Sequence, residues 1–173
     1  MPFATAAGHS IAYEWVGDGK RTLVFLHEGL GSIRQWRDFP AKVAAATGCR
    51  ALIYDRYGYG QSDVLVEPRR NVRFMHDEAL VALPELLKNV GVENPLLIGH
   101  SDGASIALIH AGAKHPVRGV VAMAQLDETK RRVKGPCELL KLKDCGHAPF
   151  REQPEKTLEA VVRFLSSLLT ART

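Results

Sequence analysis

A serine flanked by glycines, directly after an apolar run, constrains this chain more than any other feature of its sequence. Residues 99–103 read Gly-His-Ser-Asp-Gly, and residues 95–98 before them are apolar. A strand that runs into G-x-S-x-G and then into a helix is typical of a nucleophile elbow. The turn is so tight that glycine is needed two positions before and after the serine. We therefore interpret Ser101 as a candidate nucleophile; the alternative is a loop serine that happens to lie between two glycines.

Length and composition predict one domain, over residues 1–173, with a full hydrophobic core. The chain has 173 residues, of which 46% are apolar and 24% charged. Such values are ordinary for a globular protein. The net charge of +4 is too small to indicate a nucleic-acid partner, and the densest basic run, at residues 130–134, has no interleaved aromatic residue. We expect no nucleic-acid partner.

The N-terminus and the cysteines favour the cytoplasm. Residues 1–10 lack the basic lead and apolar core of a signal peptide, and no uncharged apolar stretch approaches membrane-spanning length. The chain has an odd number of cysteines, and their spacing is not typical of a metal site; they are Cys49, Cys137 and Cys145. The last two bracket a predicted strand, which holds them beyond disulfide reach. We expect reduced thiols, no metal site and no membrane partner.

Strands alternate with helices from residue 22 onward, which predicts an α/β fold with a mostly parallel sheet flanked by helices. The apolar patterns predict strands at residues 3–5, 11–16, 22–26, 49–54, 95–98, 117–124 and 138–142. Five helices are predicted. The first ends at Gly48, the second spans 74–90 with a kink at Pro84, and the third runs from the elbow to about residue 114. The fourth spans 127–134, and the fifth begins at Pro154. Residues 144–153 are predicted to form a loop.

Four motifs, in this order along the chain, resemble the α/β-hydrolase family, in particular its single-domain esterase-like branch. They are His-Glu-Gly at 27–29, Asp-Arg-Tyr-Gly-Tyr-Gly-Gln-Ser at 55–62, the elbow, and Asp-Cys-Gly-His at 144–147. The resemblance covers essentially the whole chain. It implies that Ser101 is the nucleophile and that His147 is the histidine that takes its proton. The alternative for His147 is a loop histidine that caps the next segment.

The resemblance also implies an oxyanion hole made of backbone N–H groups. One donor would be Asp102, directly after the nucleophile, and the second would be Gly29 or Leu30 in the loop after the third strand. Family members often carry glycine where this chain has Glu28. A carboxylate beside a developing anion is unfavourable, so we expect Glu28 to face solvent or a basic neighbour.

Other polar residues near these motifs are expected to be structural. His27 should order the loop in which it lies, and His100 should point away from Ser101. The motif at 55–62 should tie loops together through its aspartate and its arginine.

The segment that normally carries the third member of the triad has no counterpart in this sequence. Residues 121–124 run straight into 125–129, where the family usually has a cap and a further strand that ends in an aspartate. Asp127, just after the sixth strand, could orient His147, or it could cap the short helix that follows. Glu128 is a weaker candidate, and Asp144 is better suited to fixing the loop. Without an acid, serine-protease precedent implies a loss in turnover on the order of 10⁴.

These features predict a truncated, capless serine hydrolase that cleaves short-chain carboxylic esters through an acyl-enzyme, with no cofactor. Serine in the elbow argues against dehalogenase and epoxide-hydrolase chemistry, but it does not separate ester cleavage from carbon–carbon cleavage or acyl transfer. The alternative from another class is a weak or inactive remnant that serves as a binding protein. The absent cap predicts a shallow, wet site, and the absent strand predicts exposed apolar surface covered in a homodimer or larger assembly.

Overall fold

In the described residues, six strands form one sheet, and the four strands at one side of it are parallel. The computed structural model describes residues 1–67, 69–124 and 138–170. The strands lie in the order β1-β2-β4-β3-β5-β6, with β1 and β2 antiparallel to each other, β2 antiparallel to β4, and the rest parallel. Their bounds are β1 Phe3–Ala6, β2 His9–Val16, β3 Thr22–Leu26, β4 Arg50–Tyr54, β5 Leu96–His100 and β6 Gly119–Met123. The predicted fold class, a mostly parallel sheet flanked by helices, is confirmed.

Helices cover both faces of this sheet. A 3-10 turn, Ile33–Trp36, leads into the first helix. The α-helices are α1 Phe39–Thr47, α2 Phe74–Asp77, α3 Leu83–Asn89, α4 Asp102–Gly112, α5 Pro149–Glu152 and α6 Pro154–Thr170. Gly48 ends α1 in a left-handed conformation, as its position in the sequence predicts. No helix in the described ranges is both long and apolar enough to cross a membrane.

Alternation along β3 divides the core into two layers. Leu23 and Phe25 belong to the layer that contains Trp36 and the buried faces of α1 and α6. Val24 and Leu26 belong to the opposite layer, with α3 and α4. Successive side chains of a strand point to opposite faces, so a strand covered on both faces must be apolar throughout. This is why the apolar run at residues 22–26 predicts the strand correctly.

The helix predicted over residues 74–90 is divided by a π-helical segment that ends just before α3. A π-helical turn, Glu78–Ala82, separates α2 from α3, and proline lies in the first turn of α3. Proline has no N–H for the helical ladder, and the first turn of a helix is where that loss costs least. The helix type thus changes just before Pro84, and the bend itself stays a prediction.

Two expectations for the C-terminal third are wrong. Residues 138–142 form no strand, and Leu139 and Leu140 are 42% and 47% exposed. An apolar pattern forms a strand only where a neighbouring strand completes its hydrogen bonds. Residues 149–152, predicted to be loop, form α5, which begins at a proline suited to the first helical position. The helix predicted at 127–134 lies outside the described residues.

Within the described part of the chain, the cysteines are unpaired. Cys49 is buried and Cys145 is partly exposed, and both are free thiols. Cys137 lies outside the described residues, so the expectation for that thiol stays a prediction.

Candidate active site

Ser101 occupies a strained turn between β5 and α4. Its backbone is left-handed, with φ 53° and ψ −114°, a conformation that a residue with a side chain rarely adopts. A Cβ at Gly99 would lie 2.3 Å from the carbonyl O of Gly103, and a Cβ at Gly103 would lie 2.0 Å from the carbonyl O of Leu26. Both glycines are therefore required, as the elbow motif predicts. Strain of this kind is typical of functional turns.

The loop after β3 meets the start of α4, where the two predicted oxyanion donors lie. A Cβ at Gly29 would come within 2.6 Å of Oδ2 of Asp102, so only glycine fits there without displacing that carboxylate. Asp102 is the first residue of α4, where a helix leaves its N–H groups without intrahelical acceptors. The side chain of Leu30 is 97% exposed. The structure thus brings Gly29 and Asp102 together, with Leu30 at the solvent edge.

His147 lies beside the residue that directly precedes Ser101. Its ring centroid is 4.9 Å from that of His100, and the Nε2–H of His100 donates to the carbonyl O of His147 over 2.6 Å. The side chain of His147 is 61% exposed. The sheet therefore holds the backbone at His147 close to the elbow and leaves its ring accessible.

Glu152 fixes the loop of His147 from both sides. Its carboxylate accepts hydrogen bonds from the N–H of Gly146, over 2.5 Å, and from the N–H of Ala148, over 2.9 Å. These two bonds lower the pKa of Glu152. Sequence reasoning missed this residue, although an acid in the turn that starts at Pro149, soon after a candidate catalytic histidine, was a usable signal.

Asp144 has no described contact with the ring of His147. It adopts a left-handed conformation, and its carbonyl O accepts a hydrogen bond from Nε2 of Gln153 over 3.2 Å. Both observations agree with a role in loop geometry. Asp127 and Glu128 lie outside the described residues, so their proposed contact with His147 stays a prediction.

Glu28 faces two histidines, in agreement with the expectation of a basic neighbour. Oε2 lies 3.6 Å from Nδ1 of His100 and 3.8 Å from Nε2 of His147. Oε1 accepts a hydrogen bond from Nε2 of Gln35 over 2.6 Å. The Glu28 side chain is 24% exposed, so its charge is partly screened by water. Its approach to His147 was not predicted, because it depends on how two distant loops pack.

His100 is buried between the elbow and the aromatic core. Its ring packs against Trp36 and Phe150, with centroids 6.4 Å and 5.2 Å away. Burial lowers the pKa of His100. The ring is therefore neutral at neutral pH, and it acts as an anchor for the loop of His147.

His27 and Arg56 hold the loop after β3 in place. The Nδ1–H of His27 donates to the carbonyl O of Glu28 over 2.7 Å, and its Nε2 accepts from the backbone N–H of Arg56 over 3.1 Å. The guanidinium of Arg56 donates to the same carbonyl of Glu28 over 2.8 Å. Burial, together with the charge of Arg56, lowers the pKa of His27 to about 3. His27 thus orders its loop, as expected.

Asp55 ties a second pair of loops together. Its Oδ1 accepts from the N–H of Ile33 over 2.6 Å, and its Oδ2 accepts from the N–H of Gln61 over 2.8 Å. The Ser62 hydroxyl donates to the carbonyl O of Asp55 over 2.6 Å. The structure bears out the structural interpretation of the motif at 55–62.

A broad depression of about 380 Å³ adjoins the loop after β3. Three arginines, Arg34, Arg37 and Arg151, line it together with Glu28, and Leu30 is its one large apolar lining residue. Neither Ser101 nor His147 is among the residues described as lining it, so it does not test the expected shallow, wet site, which stays a prediction.

A strained serine at a strand–helix turn, backbone N–H groups beside it and a histidine on a C-terminal loop are the parts that the elbow motif predicts on an α/β fold. The chain belongs to the alpha/beta hydrolase fold family, whose sequence model matches residues 21–135.

Curated relatives include two proline iminopeptidases. The one from Clostridioides difficile is 34% identical over 114 residues, which is 64% of this chain and 36% of that protein. The one from Lactobacillus helveticus is 30% identical over 119 residues, which is 67% of this chain and 38% of that protein. The chain thus spans little more than a third of the length of these relatives.

Solved structures show the same fold at lower identity. A predicted CIB-like hydrolase from Thermoplasma acidophilum superimposes with a TM-score of 0.79 at 17% identity, over 96% of this chain and 97% of that one. An epoxide hydrolase from Vigna radiata gives a TM-score of 0.61 at 19% identity, over 72% of this chain and 39% of that one.

Proposed function

We propose that the protein is a serine hydrolase that cleaves short-chain carboxylic esters through an acyl-enzyme. The observation that carries this proposal is the strained conformation of Ser101, at a turn where two glycines are sterically required. A strained serine of this kind costs free energy, and a hydroxyl held clear of the sheet for attack is a reason to retain it.

Each step of the reaction has a residue to perform it. Ser101 attacks the acyl carbon while His147 takes its proton, and the carbonyl oxygen of the ester becomes an oxyanion held by the N–H groups of Asp102 and Gly29 or Leu30. The oxyanion collapses, the alcohol leaves with the proton from His147, and a serine ester remains. His147 then takes a proton from a water molecule, whose oxygen adds to the acyl carbon. The bond from that carbon to Oγ of Ser101 breaks, His147 returns the proton to Oγ, and the carboxylic acid leaves.

The identity of the acid that supports His147 is part of the proposal. Asp127 is the candidate from the sequence, and Glu28 is a carboxylate that the structure describes 3.8 Å from the His147 ring. Either would favour the imidazolium that forms during attack. Glu28 approaches the ring of His147 through Oε2, and water partly screens the charge of this carboxylate. We therefore propose that Glu28 stabilises the imidazolium less than Asp127 would.

Peptide cleavage is a second candidate. Two relatives at 34% and 30% identity are proline iminopeptidases, and cleaving an amide uses the same acyl-enzyme steps. The carboxylate of Glu28, beside the proposed site, is a group that could pair with the ammonium of a peptide N-terminus. An uncharged ester offers it no such partner.

A substrate panel with matched variants tests both candidates. Purified protein is assayed with p-nitrophenyl acetate and butyrate and with prolyl p-nitroanilide, and a fluorophosphonate probe reports the nucleophile. We expect ester turnover and labelling of the wild type, loss of both in Ser101→Ala, and retention in Ser167→Ala, which alters an exposed serine on α6. Prolyl anilide turnover without ester turnover would favour the peptidase. Folded protein with neither turnover nor labelling would favour the non-catalytic binding protein.

A further inference from the structure

We propose that Glu28, His100 and His147 form a binding site for a divalent transition-metal ion of the zinc class. One nitrogen from each histidine and one oxygen from Glu28 all lie within 4.8 Å of one another. The three residues come from three separate segments: the loop after β3, the end of β5 and the C-terminal loop.

The separations are close to those that a bound ion would impose. Zinc binds imidazole nitrogen and carboxylate oxygen at about 2.0–2.2 Å, so neighbouring ligands of a tetrahedral site lie roughly 3.3–3.5 Å apart. Oε2 of Glu28 is 3.6 Å from Nδ1 of His100 and 3.8 Å from Nε2 of His147. Shifts of a few tenths of an ångström would bring both of these pairs to these values, and the two histidine nitrogens, which lie within 4.8 Å of each other, would also have to move closer. The exposed ring of His147 is free to make the larger adjustment.

The tautomer of His100 makes its Nδ1 a ligand. Its Nε2 is 2.6 Å from the carbonyl O of His147, and because a carbonyl only accepts, Nε2 carries the proton. The lone pair therefore resides on Nδ1, on the side of Glu28. A histidine ligand that donates its other N–H to a backbone carbonyl is the usual arrangement around a metal.

Two acceptors face each other at this point. Nδ1 of His100 and Oε2 of Glu28 both carry lone pairs and lie 3.6 Å apart, so their interaction is repulsive unless a proton or cation lies between them. The amide of Gln35 donates to Oε1 of Glu28 over 2.6 Å and, in a longer hydrogen bond of 3.3 Å, to the same Nδ1. Gln35 therefore holds one oxygen of Glu28 and leaves the other for a metal, which would replace the longer bond at Nδ1.

The donor set decides the class of ion. Two imidazoles and one carboxylate suit zinc, cobalt and nickel, whereas magnesium and calcium require oxygen ligands. Three protein ligands leave a fourth position for water. Binding would also engage the ring of His147, so the ion would inhibit ester hydrolysis by occupying the proposed base. Only this consequence rests on the proposed function.

Cobalt(II) titration of the full chain tests the site without any assay of activity. We expect visible absorption typical of tetrahedral cobalt that saturates at one ion per chain, displacement by zinc, and no displacement by magnesium. Glu28→Gln and His147→Asn should each weaken binding by about tenfold or more, since each removes one of three ligands. Both side chains are partly exposed, so circular dichroism should show that the variants fold.

Two matched variants exclude other sources of binding. His76→Asn removes an exposed histidine on α2, and Cys145→Ala removes the thiol nearest His147 in sequence; both should bind cobalt like the wild type. Non-saturating binding, or wild-type affinity in Glu28→Gln and His147→Asn, would overturn the proposal. If the chain hydrolyses no ester, the titration still decides the metal site. If it does, zinc should inhibit the wild type reversibly and Glu28→Gln much less.

Discussion

Nε2 of His147 lies 3.8 Å from Oε2 of Glu28, which joins the loop after β3 to the C-terminal loop at the proposed active site. In this arrangement a carboxylate supports the proposed base but also lies near the proposed oxyanion hole. The first effect favours the imidazolium that forms during attack, and the second opposes the oxyanion. Gln35 holds the far oxygen of this carboxylate, and the remaining oxygen faces the two histidines, so support of the histidine should dominate.

Glu28→Gln should therefore lower kcat/KM for p-nitrophenyl acetate by about tenfold, because the neutral amide no longer stabilises the charged ring. The effect should fall on kcat, since an uncharged ester gains nothing from the carboxylate on binding. Steady-state kinetics measure it, with Glu93→Gln, an exposed loop residue, as the control. An unchanged or higher kcat in Glu28→Gln would leave Asp127 as the candidate acid.

Burial of His27 predicts a loss of stability in acid. Its pKa is lowered to about 3 in the folded protein, against about 6.5 in an unfolded chain. Between these values the unfolded chain binds a proton that the native protein does not. The folded protein therefore has its full free energy of unfolding, as far as His27 is concerned, above pH 6.5. This free energy decreases as the pH falls from 6.5 towards 3. At about 1.4 kcal/mol per pKa unit, His27 should cost the fold roughly 2 kcal/mol between pH 6.5 and pH 5.

Urea unfolding at pH 7 and pH 5 measures this loss. His100 and His110 also have lowered pKa values through burial and add to the slope in the wild type. Comparison with His27→Gln isolates the contribution of His27: the variant should be less stable at pH 7 but lose less on acidification. If the variant does not fold, the imidazole resonances of the wild type should show His27 still neutral at pH 5. A protonated His27 in folded protein at that pH would contradict the prediction.

The parts of the fold that could be predicted from sequence are those in which local sterics leave few choices. The elbow required glycine on both sides of Ser101, and β3 required an unbroken apolar run because both of its faces are covered. Residues 138–142 contain three leucines between charged residues and form no strand, although their pattern predicts one. Periodicity reports which residues favour burial, and it cannot report whether a neighbouring strand exists.

The candidate site was predictable only as a set of separate parts. Ser101 and His147 follow from motifs, whereas the approach of Glu28 to His147 depends on the packing of loops far apart in sequence. The hydrogen bonds of Glu152 to the loop of His147 are local and could have been found. Sequence reasoning overlooked them because a carboxylate in a short turn has many possible partners.

The sequence has no counterpart of the cap that the family usually carries, and this predicts a weak dependence on acyl chain length. Without a cap, an acyl chain at the proposed site would be only partly removed from water. Full burial contributes about 0.8 kcal/mol per methylene, so six buried methylenes would raise kcat/KM more than about a thousandfold. We expect less than about a tenfold change, and high KM values, from p-nitrophenyl acetate to octanoate. A steep rise with chain length would show that a pocket encloses the chain.

The last prediction concerns assembly. Within the described residues, β6 pairs with β5 on one side only, Ala122 in β6 is exposed, and Leu139 and Leu140 are 42% and 47% exposed. A strand edge without a described neighbour and exposed apolar side chains each favour pairing with a second copy. We expect light scattering to give a homodimer or larger assembly at micromolar concentrations, with Leu140→Lys shifted towards the monomer and still folded. Specific activity should then rise with concentration if a partner subunit supplies the acid for His147. A monomer mass of 19 kDa throughout would contradict the assembly and leave the acid within the same chain.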